Sequence, residues 1–513
     1  MHIGKWVSRI AVASTLAAIT IACHAKPQPV TGPVGPAIPE ELIQEYVSQG
    51  DTMFQAMHLV AWRRAEAAYA QAYQLAERHE IREKLALTKL LRMTREIDED
   101  IACPTMQADV DFICQDVVDA RGQALCDLAQ GYAAGPWAAV ERMKRVDPSV
   151  LDMDASPLDA YFFMLHTRTF GSEAKYDDLK KQLSAKYKDT PLFAYLNFSA
   201  VSGVPARATA QTPDFAEAWE LLGETTFQAN HIKQAREAFS KAVDLVPDYT
   251  RALNGLANIF FFTLEDFASA LKGYEASLRW DPLNTGALFG KGASLHSLDR
   301  YEESNRVLDQ MLASDLSRRG RVSANSIQYY RGEAYYYQAY NHNLMKDPVR
   351  ARELIDLAKH DLPQAQEINY LSGLLYYNDG RLDAAKTDFG IAAKQGNNCY
   401  AYHYLGLIEL KQGGPAAAAQ FLTSASCLET SLNRFRDSTK TLANLDLEPA
   451  EKEALRVRMN LKLTGYRDSS AQLIQTMIAL IRDAPAEINW MKPFMEGMNV
   501  VLARVQSIVP SKN

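Results

Sequence analysis

The segment from His79 to Glu83 comes closest to a catalytic motif in this chain. Zinc peptidases carry His-Glu-x-x-His on a helix, because two imidazoles one turn apart can reach the same metal ion. This chain reads His-Glu-Ile-Arg-Glu, so Glu83 stands where the second imidazole is needed. A solvated helix start explains the segment more simply than a His-Glu-Glu metal site. The ten histidines form no other cluster with metal-ligand spacing, so we predict no metal and no cofactor.

Other catalytic sites also lack support in the residue pattern. The chain has no glycine-rich phosphate loop and no Gly-x-Ser-x-Gly nucleophile turn. The acidic stretches Glu96–Asp100 and Glu302–Glu303 are most simply interpreted as exposed helix faces. The formal net charge is −7 and no basic run is present, which argues against nucleic acid or an anionic membrane surface as a partner. We therefore predict a protein that is not an enzyme.

Any binding site would be positioned by pairs of helices that repeat along the chain. One set of apolar and small residues recurs with a period of about 34 residues, which indicates stacked helical hairpins. Its first clear copy consists of Trp219, Leu222, Gly223, Ala235, Phe239, Ala242 and Pro247. Steps of three and four residues place side chains on one face of a helix. Gly223 admits the second helix closely, and Pro247 ends that helix.

These residues resemble the tetratricopeptide repeat (TPR), and the resemblance extends over about residues 216–428. Six units are predicted, with a linker near 317–326. The later units are marked by Leu256 and Tyr274, Gly292 and Leu308, Gly332 and Tyr335, Gly373 and Phe389, and Gly406 and Leu422. The resemblance implies an all-α, right-handed superhelix, in which the first helix of each pair lines a concave face. No sustained period-two alternation is seen, so β-structure is expected to be minor.

The chain divides into five predicted parts. Residues 1–25 form a signal segment, 26–39 a proline-rich tether, 40–212 a divergent helical region, 213–430 the TPR array and 431–513 a helical C-terminal cap. In the divergent region, 61–75 has the small–large–small pattern of a repeat's second helix at Ala65, Tyr69 and Ala72. Terminal units of a solenoid are expected to be atypical because one of their faces meets water.

The N-terminal sequence predicts that the protein is exported. A basic start precedes the apolar run Ile10–Ala22, which is short for a membrane span. Residues 21–23 are similar to the end of a bacterial lipobox, which would make Cys23 an acylated residue, but Thr20 stands where a large aliphatic residue is usual. Ordinary signal-peptidase cleavage after Ala25 is the other interpretation. We expect a protein of the periplasm or outer membrane, in contact with the membrane only through a lipid anchor on Cys23.

Five cysteines follow the signal segment, and export permits disulfides. Cys399 begins the first helix of the sixth repeat and Cys427 ends its second helix, so the two are adjacent in a hairpin and a disulfide is reasonable. Two small buried residues are the alternative. Among Cys103, Cys114 and Cys126, one must remain unpaired or pair elsewhere. Zinc is not expected, because no close Cys or His pairs accompany them.

The family's concave positions can be carried over onto this chain. They are Glu217, Glu220, Glu224, Phe227, Asn254, Asn258, Phe261, Phe262, Phe289, His296, Tyr329, Tyr336, Tyr337, Tyr370, Tyr377, Tyr400 and His403. Asn can bond to a peptide backbone, and Tyr offers a large contact area with a polar end. Glu220 stands where a carboxylate-binding repeat carries lysine, so a neutral or basic partner segment is favoured. The alternative is that many of the aromatic residues are core.

We expect a non-catalytic scaffold of the bacterial cell envelope, which binds a protein or peptide partner in the concave groove. The alternative is a ligand-binding or enzymatic helical domain at 40–212, docked on a TPR array. A deep polar pocket there, with a strongly shifted carboxylate or histidine, would favour the alternative. A continuous superhelix without such a pocket would favour the scaffold.

Overall fold

A computed structural model describes most of the chain that follows the predicted tether. The described residues are 39–99, 101, 103–115, 117, 119–134, 156–170, 173–187, 190, 193, 204–314, 324–396, 398–414, 416–483 and 492–508. These ranges contain α-helices, short turns and no strand, so the predicted all-α class is confirmed. None of the helices in these ranges combines the length and the apolar character needed to cross a membrane. The signal segment with Cys23 and residues 26–38 of the tether lie outside the described residues.

The region before the array consists of helices that pack mainly against their neighbours in sequence. They are α1 Glu40–Phe54, α2 Leu59–Leu75, α3 His79–Asp98, α4 Met106–Cys114, α5 Ala120–Ala134, α6 Pro157–Phe170, α7 Glu173–Lys186 and α8 Val204–Gln211. Helix α3 contacts α2, α4 and α5. Trp62, Leu90 and Phe162 are fully buried in one core cluster of this region.

Helices α1 and α2 pack like one unit of the array. Tyr69 is buried on α2, and a Cβ atom added at Gly50 on α1 would lie 2.5 Å from its ring. Such a distance leaves no room for a side chain, so glycine lets the two helices approach. This agrees with the prediction that 61–75 is the second helix of a divergent repeat, and it identifies α1 as the first.

The array consists of six consecutive helix pairs, as the repeats predict. The pairs are α9 Ala216–Gln228 with α10 Ile232–Leu245, α11 Thr250–Asn258 with α12 Phe267–Trp280, α13 Thr285–Ser297 with α14 Tyr301–Ala313, α15 Ala324–Leu344 with α16 Pro348–Asp361, α17 Gln366–Asn378 with α18 Leu382–Gly396, and α19 Cys399–Lys411 with α20 Ala417–Thr441. A π-helical turn, Ile259–Thr263, extends α11. Each helix contacts the next, which builds an all-α superhelical stack.

The pairs are held by a large ring set against glycine. A Cβ atom at Gly223 or at Gly255 would lie 2.5 Å from the Phe239 ring, so this ring joins the first pair to the second. In the sixth pair the ring opposite Gly406 belongs to Phe421, which is fully buried. The repeat pattern assigns that position to Leu422, one residue later. Phe421 follows Gly406 by 15 residues, whereas Phe239 follows Gly223 by 16, so the buried position in α20 comes one residue earlier than the repeat pattern predicts.

The C-terminal part contains one very long helix. Helix α21, Pro449–Arg482, has 34 residues and a length of about 50 Å. Helix α22, Lys492–Gln506, packs against both α21 and α20. A proline in the first turn and a capping box between Glu448 and Glu451 fix the start of α21.

Helix α21 begins at the first two pairs and runs back to the sixth pair, and we call it the strap. Its last part places Ile474 and Met477 in the core cluster of Phe421. Its first part places Leu455 in the core cluster of Phe239. Arg236 pairs with Glu451 at 2.8 Å, and Lys462 pairs with Glu265 at 2.6 Å. The predicted C-terminal cap therefore also joins the two ends of the array.

Candidate partner-binding face

The first helices of the last four pairs bring together a group of aromatic side chains. We call this group the tyrosine face. It consists of Phe289 on α13, Tyr329, Tyr336 and Tyr337 on α15, Tyr370 and Tyr377 on α17, and Tyr400 on α19. All seven were predicted as groove residues, because they occupy concave positions of the repeat.

Ring contacts run across the first half of the tyrosine face. The centroids of Phe289 and Tyr337 are 5.7 Å apart, and those of Tyr336 and Tyr337 are 5.6 Å apart. His296 adds a ring 5.1 Å from Tyr337. The rings meet edge to face, which is a favourable arrangement at these distances. Because these residues belong to the third and fourth pairs, the face is continuous across that junction.

The second half of the tyrosine face is joined through Tyr404, which the sequence analysis missed. The ring of Tyr404 lies 5.1 Å from Tyr377 and 6.3 Å from Tyr370. Tyr370 also lies 6.5 Å from Tyr400. Tyr404 is one helical turn after Tyr400, so their common helix face is a signal that could have identified it.

Exposure divides the tyrosine face into surface and core members. Tyr329 is 50% exposed and Tyr400 is 42% exposed, whereas Tyr336 and Tyr337 are largely buried. Burial, followed by the nearby charge of Glu333, raises the pKa of Tyr337 to about 12. Its phenol therefore stays protonated and can donate a hydrogen bond. The burial of Tyr336 and Tyr337 agrees with the alternative that some of the aromatic residues are core, and the exposed members remain predicted groove residues.

Two carboxylates border the tyrosine face and were also missed. Glu333 and Glu367 both contribute, after burial, to the raised pKa of Tyr329 and of Tyr337. Burial raises the pKa of Glu333, and repulsion by Glu367 raises it further.

The repeat register contains the signal that identifies these carboxylates. Glu333 follows Gly332 directly, as Glu224 follows Gly223 in the first repeat. Glu367 precedes Gly373 by the same six residues that separate Glu217 from Gly223. Both are thus concave positions of the same kind as the predicted Glu224 and Glu217.

Glu217 and Glu220 are not available to a partner, and their prediction as groove residues needs correction. Glu217 is fully buried, and it accepts hydrogen bonds from the backbone N–H of Leu59 at 3.1 Å and from Nε of Arg95 at 3.2 Å. Glu220 is buried and lies 3.2 Å from Arg251. The start of α2 and the end of α3 cover this part of the array.

The acidic end of α3 is buried too, although it was expected to be an exposed face. Glu96 lies 2.8 Å from Arg63, and Glu99 accepts a hydrogen bond of 2.7 Å from the hydroxyl of Tyr249. Arg251 also pairs with Glu99 at 2.9 Å. Buried carboxylates require such partners. Because the partners come from distant parts of the chain, the local sequence could not indicate this burial.

The middle positions of the predicted groove make contacts within the array. Asn254 donates to Asn284 at 3.0 Å, and Asn258 accepts from the hydroxyl of Tyr274 at 2.7 Å. Phe262 is 66% exposed on the π-helical turn, with its ring 4.9 Å from Phe261.

Two further predicted positions, Glu224 and His403, differ in accessibility. Glu224 is partly exposed and accepts from Gln228 at 2.7 Å. His403 is buried against Phe421, and burial lowers its pKa to about 4. It is a neutral core residue, so its assignment to the groove is corrected.

A cavity of about 490 Å³ lies in the N-terminal region, between α3 and residues 113–125. Its cationic side chains already have partners: Arg82 with the Phe112 carbonyl, Lys84 with Asp51, and Arg121 with Asp159. At its edge, His79 lies 3.2 Å from Glu83, and both side chains are exposed. Among the described residues, no group of His, Cys, Asp and Glu has an arrangement that could hold a metal ion.

The cysteines form two disulfides in the described part of the chain. Cys114 is bonded to Cys126 between α4 and α5, and Cys399 is bonded to Cys427 between α19 and α20. Cys103 remains a thiol, and burial together with the charge of Glu96 raises its pKa to about 12. The pairing that was left open among the first three cysteines is thus Cys114 with Cys126.

A comparison with protein-family models finds no match, and neither does one with curated proteins. Among solved structures, the chain is similar to pilF of Pseudomonas aeruginosa, with 20% identity and a TM-score of 0.36 over 40% of this chain and 89% of that one. It is also similar to a tetratricopeptide repeat protein from Parabacteroides merdae, with 13% identity and a TM-score of 0.32. This match covers 55% of this chain and 98% of that one. Cut9–Hcn1 of the APC/C matches 91% of this chain and 97% of that chain, at 11% identity and a TM-score of 0.40. These values are too low to indicate a shared function.

Proposed function

We propose that this protein is a non-catalytic interaction scaffold of the bacterial cell envelope, which binds a partner polypeptide along the tyrosine face. The observation that carries the proposal is a row of aromatic side chains on the first helices of four successive pairs. A ring contact joins Phe289 to Tyr337 across the third and fourth pairs, and another joins Tyr370 to Tyr400 across the fifth and sixth. An extended polypeptide is a partner of suitable length and shape for such a row.

The chemistry of the tyrosine face also suits a polypeptide. Tyrosine is enriched in protein interfaces because its ring gives a large apolar contact and its hydroxyl binds backbone groups. The exposed ends of the face, Tyr329 and Tyr400, are accessible for first contact. The acidic net charge disfavours nucleic acid, and Glu333 and Glu367 favour a neutral or basic segment.

The disulfides support an exported protein. Disulfides persist in oxidising compartments such as the bacterial periplasm and are rare in the cytosol. Together with the signal segment, Cys114–Cys126 and Cys399–Cys427 favour the periplasm or the outer membrane. Acylation of Cys23 would supply a lipid anchor, and cleavage after Ala25 would leave a soluble periplasmic protein.

The alternative is a ligand-binding or enzymatic function of residues 40–212, and the cavity beside α3 is the place for it. Its cations are engaged by the protein itself, and the His79–Glu83 pair at its rim is exposed. A catalytic site would be expected to keep a polar group desolvated and directed into the cavity. The observations therefore favour the scaffold.

The test of the scaffold is capture of a partner from envelope extract by the immobilised mature chain. The informative variant carries Tyr329→Ala with Tyr400→Ala, because both side chains are exposed and their removal should leave the core intact. Losing two aromatic anchors should weaken binding by tenfold or more. Trp280→Ala is the matched control, since Trp280 is 51% exposed but lies on a second helix. Equal capture by wild type and by the tyrosine variant would contradict the proposal.

Export is tested separately. Alkylation of denatured, unreduced protein should modify Cys103 and leave the four cysteines of the two disulfides unmodified. Labelled fatty acid should enter the wild type and not Cys23→Ser if the anchor is present. Full alkylation of the bridged cysteines would contradict an oxidising compartment. Absence of fatty acid from the wild type would leave the soluble periplasmic form.

A further inference from the structure

His296 lies beside the tyrosine face, near the end of α13, and a series of hydrogen bonds holds its ring. Nδ1 of His296 lies 2.6 Å from Oδ1 of Asn341 on α15. Nδ2 of Asn341 donates to Oγ of Ser304 on α14 at 3.0 Å, and that hydroxyl donates to the carbonyl of Gly292 at 2.8 Å. Ser304 and Asn341 are fully buried. We call these three bonds the histidine relay.

The histidine relay determines which ring nitrogen of His296 carries the proton. A backbone carbonyl can only accept, so the single hydroxyl proton of Ser304 points at Gly292. Oγ of Ser304 then accepts from Asn341, which leaves the amide oxygen of Asn341 facing His296. A second bond from Nδ2 of Asn341, to Oδ1 of Asn305 at 2.7 Å, agrees with this orientation. Nδ1 is therefore the protonated nitrogen of the neutral ring, and Nε2 carries a lone pair.

The lone pair on Nε2 is accessible beside the tyrosine face. No described residue bonds to Nε2, and it is not among the buried atoms that lack a partner, so solvent reaches it. The centroid of the ring lies 5.1 Å from that of Tyr337 and 5.2 Å from that of Tyr340. The hydroxyl of Tyr337 also bonds to no described residue and is open to solvent.

His58 shows how this chain treats a histidine with a purely internal role. Its side chain is fully buried, Nδ1 accepts from the backbone N–H of Ala61 at 3.4 Å, and Nε2 lies 3.4 Å from Asp214. Both ring nitrogens of His58 thus have partners within the chain. In His296 one nitrogen is fixed by buried residues, and the other is oriented by that contact but unused.

We propose that Nε2 of His296 accepts a hydrogen bond from a backbone N–H of the partner polypeptide. This inference rests on the proposed function and identifies the atom that sets the register of the partner on the tyrosine face. In an extended segment the N–H and the C=O of one residue point to the same side, so the Tyr337 hydroxyl is placed to donate to a carbonyl nearby. The site takes any residue except proline at this point, because proline has no N–H.

The experiment uses peptides selected with the full mature chain from a phage-displayed library of random dodecapeptides. Their binding is measured by fluorescence anisotropy. The test variant is His296→Asn, because its amide nitrogen can still donate to Asn341 while no atom replaces Nε2. The control is His360→Asn, which makes the same change at an exposed position of the second helix α16. Each peptide is also made in versions with one backbone N-methyl group, which removes a single N–H.

We expect His296→Asn to bind the peptides about tenfold more weakly than the wild type, because the donor of the peptide loses its acceptor. His360→Asn should bind like the wild type. N-methylation at one position of each peptide should weaken binding to the wild type about tenfold, with little further loss in His296→Asn. Such non-additivity would show that this N–H and His296 interact.

A nitrogen-15 spectrum of histidine-labelled protein tests the histidine relay without any partner. The signals that disappear in His296→Asn identify the ring. At mildly alkaline pH they should show a protonated Nδ1 and an unprotonated Nε2. A protonated Nε2 in the free protein would overturn the inference, because no lone pair would be left for the partner.

The binding results separate a failure of this inference from a failure of the scaffold. Peptides that need Tyr329 and Tyr400 but bind His296→Asn as tightly as the wild type would remove the acceptor and leave the tyrosine face. Peptides that need His296 but tolerate N-methylation at every position would contradict the backbone N–H as the donor. If no selected peptide depends on Tyr329 and Tyr400, the acceptor and the tyrosine face as a binding site are both contradicted.

Discussion

Equivalent positions of the repeat are closed at the start of the array and open in its middle. Glu217 on α9 is fully buried beneath α2 and α3, and Arg95 neutralises it. Glu367 on α17 holds the same place in its repeat, but it is exposed beside the tyrosines. The repeat register therefore identifies a face of the helix, whereas the packing of the rest of the chain determines whether that face is accessible.

The closed end is covered from two sides. The N-terminal region contributes Arg95 and Glu99. Arg95 pairs with Glu217 on α9, and Glu99 pairs with Arg251 on α11. The strap contributes Leu455 and Glu451, which contact the first pair. The first two pairs are therefore a structural junction, and the last four carry the tyrosine face, where we propose that a partner binds.

The largest expected effect comes from opening the closed end. Arg95→Ala would leave Glu217 and Glu99 as buried carboxylates that have lost a cation. Removal of one member of a buried ion pair costs about 3–5 kcal/mol, because the remaining charge stays desolvated. Urea unfolding followed by circular dichroism should show this loss in the transition of the first repeats.

The matched control for that prediction is Glu333→Gln, which removes a charge from the open part of the array. Glu333→Gln lies at an equivalent face but takes away a charge that has no cation in the described chain, so it should not destabilise the protein. A small effect of Arg95→Ala, similar to that of Glu333→Gln, would mean that the two ends are not different in the proposed way.

His403 provides a test of the border between groove and core. Burial lowers its pKa to about 4, so the folded protein keeps it neutral while the unfolded chain takes up a proton below about 6.5. Stability is therefore lost as the pH falls from about 6.5 to about 4, by about 3 kcal/mol from this residue. The variant His403→Leu should lack this part of the pH dependence. Parallel stability curves for the two proteins would show that His403 is solvated.

The strap offers an intermediate effect. Arg236→Ala with Lys462→Ala removes two partly buried ion pairs between the strap and the first two pairs. Each such pair contributes about 0.5–1 kcal/mol. Hydrogen exchange should become faster in the first half of α21 and stay unchanged in its second half, which packs with Phe421. Unchanged exchange in both halves would mean that the apolar contacts of Leu455 alone hold the strap.

The smallest expected effect is that of the Glu333 charge on the stability of the folded protein. Its pKa is raised by burial and by Glu367, so the ionised form is the less favourable one in the folded state. The stability given by the protonated form is present below the usual pKa of about 4.5 and is lost as the pH rises through the folded value. Glu333→Gln should therefore be slightly more stable than the wild type at pH 7 and equal to it below pH 4. A loss of stability at pH 7 would indicate a cation already bound to Glu333.

Much of the fold could be predicted, because each repeat packs mainly against its neighbours. The glycine–ring contacts, such as Gly223 with Phe239, follow from spacing within about forty residues. The N-terminal and C-terminal coverings could not be predicted in this way. Arg95 meets Glu217, and Glu451 meets Arg236, across long stretches of sequence with no periodic signal.

The candidate site was predicted in part for the same reason. Tyr329 and Tyr400 occupy regular concave positions and are exposed. Glu217 and His403 occupy such positions too, but α2 and α3 cover the first and core packing encloses the second. Glu333 shares the register of the predicted Glu224, so the repeat pattern contains the signal for it. Position in the repeat was informative, and burial required the structure.

The most direct test places a photo-crosslinking amino acid at Tyr329, at Tyr400 and, as control, at Trp280 in the full-length protein within living cells. We expect positions 329 and 400 to crosslink to the same polypeptide and position 280 not to crosslink to it. Crosslinks to that polypeptide from position 280 alone, or none from 329 and 400, would contradict a partner bound along the tyrosine face.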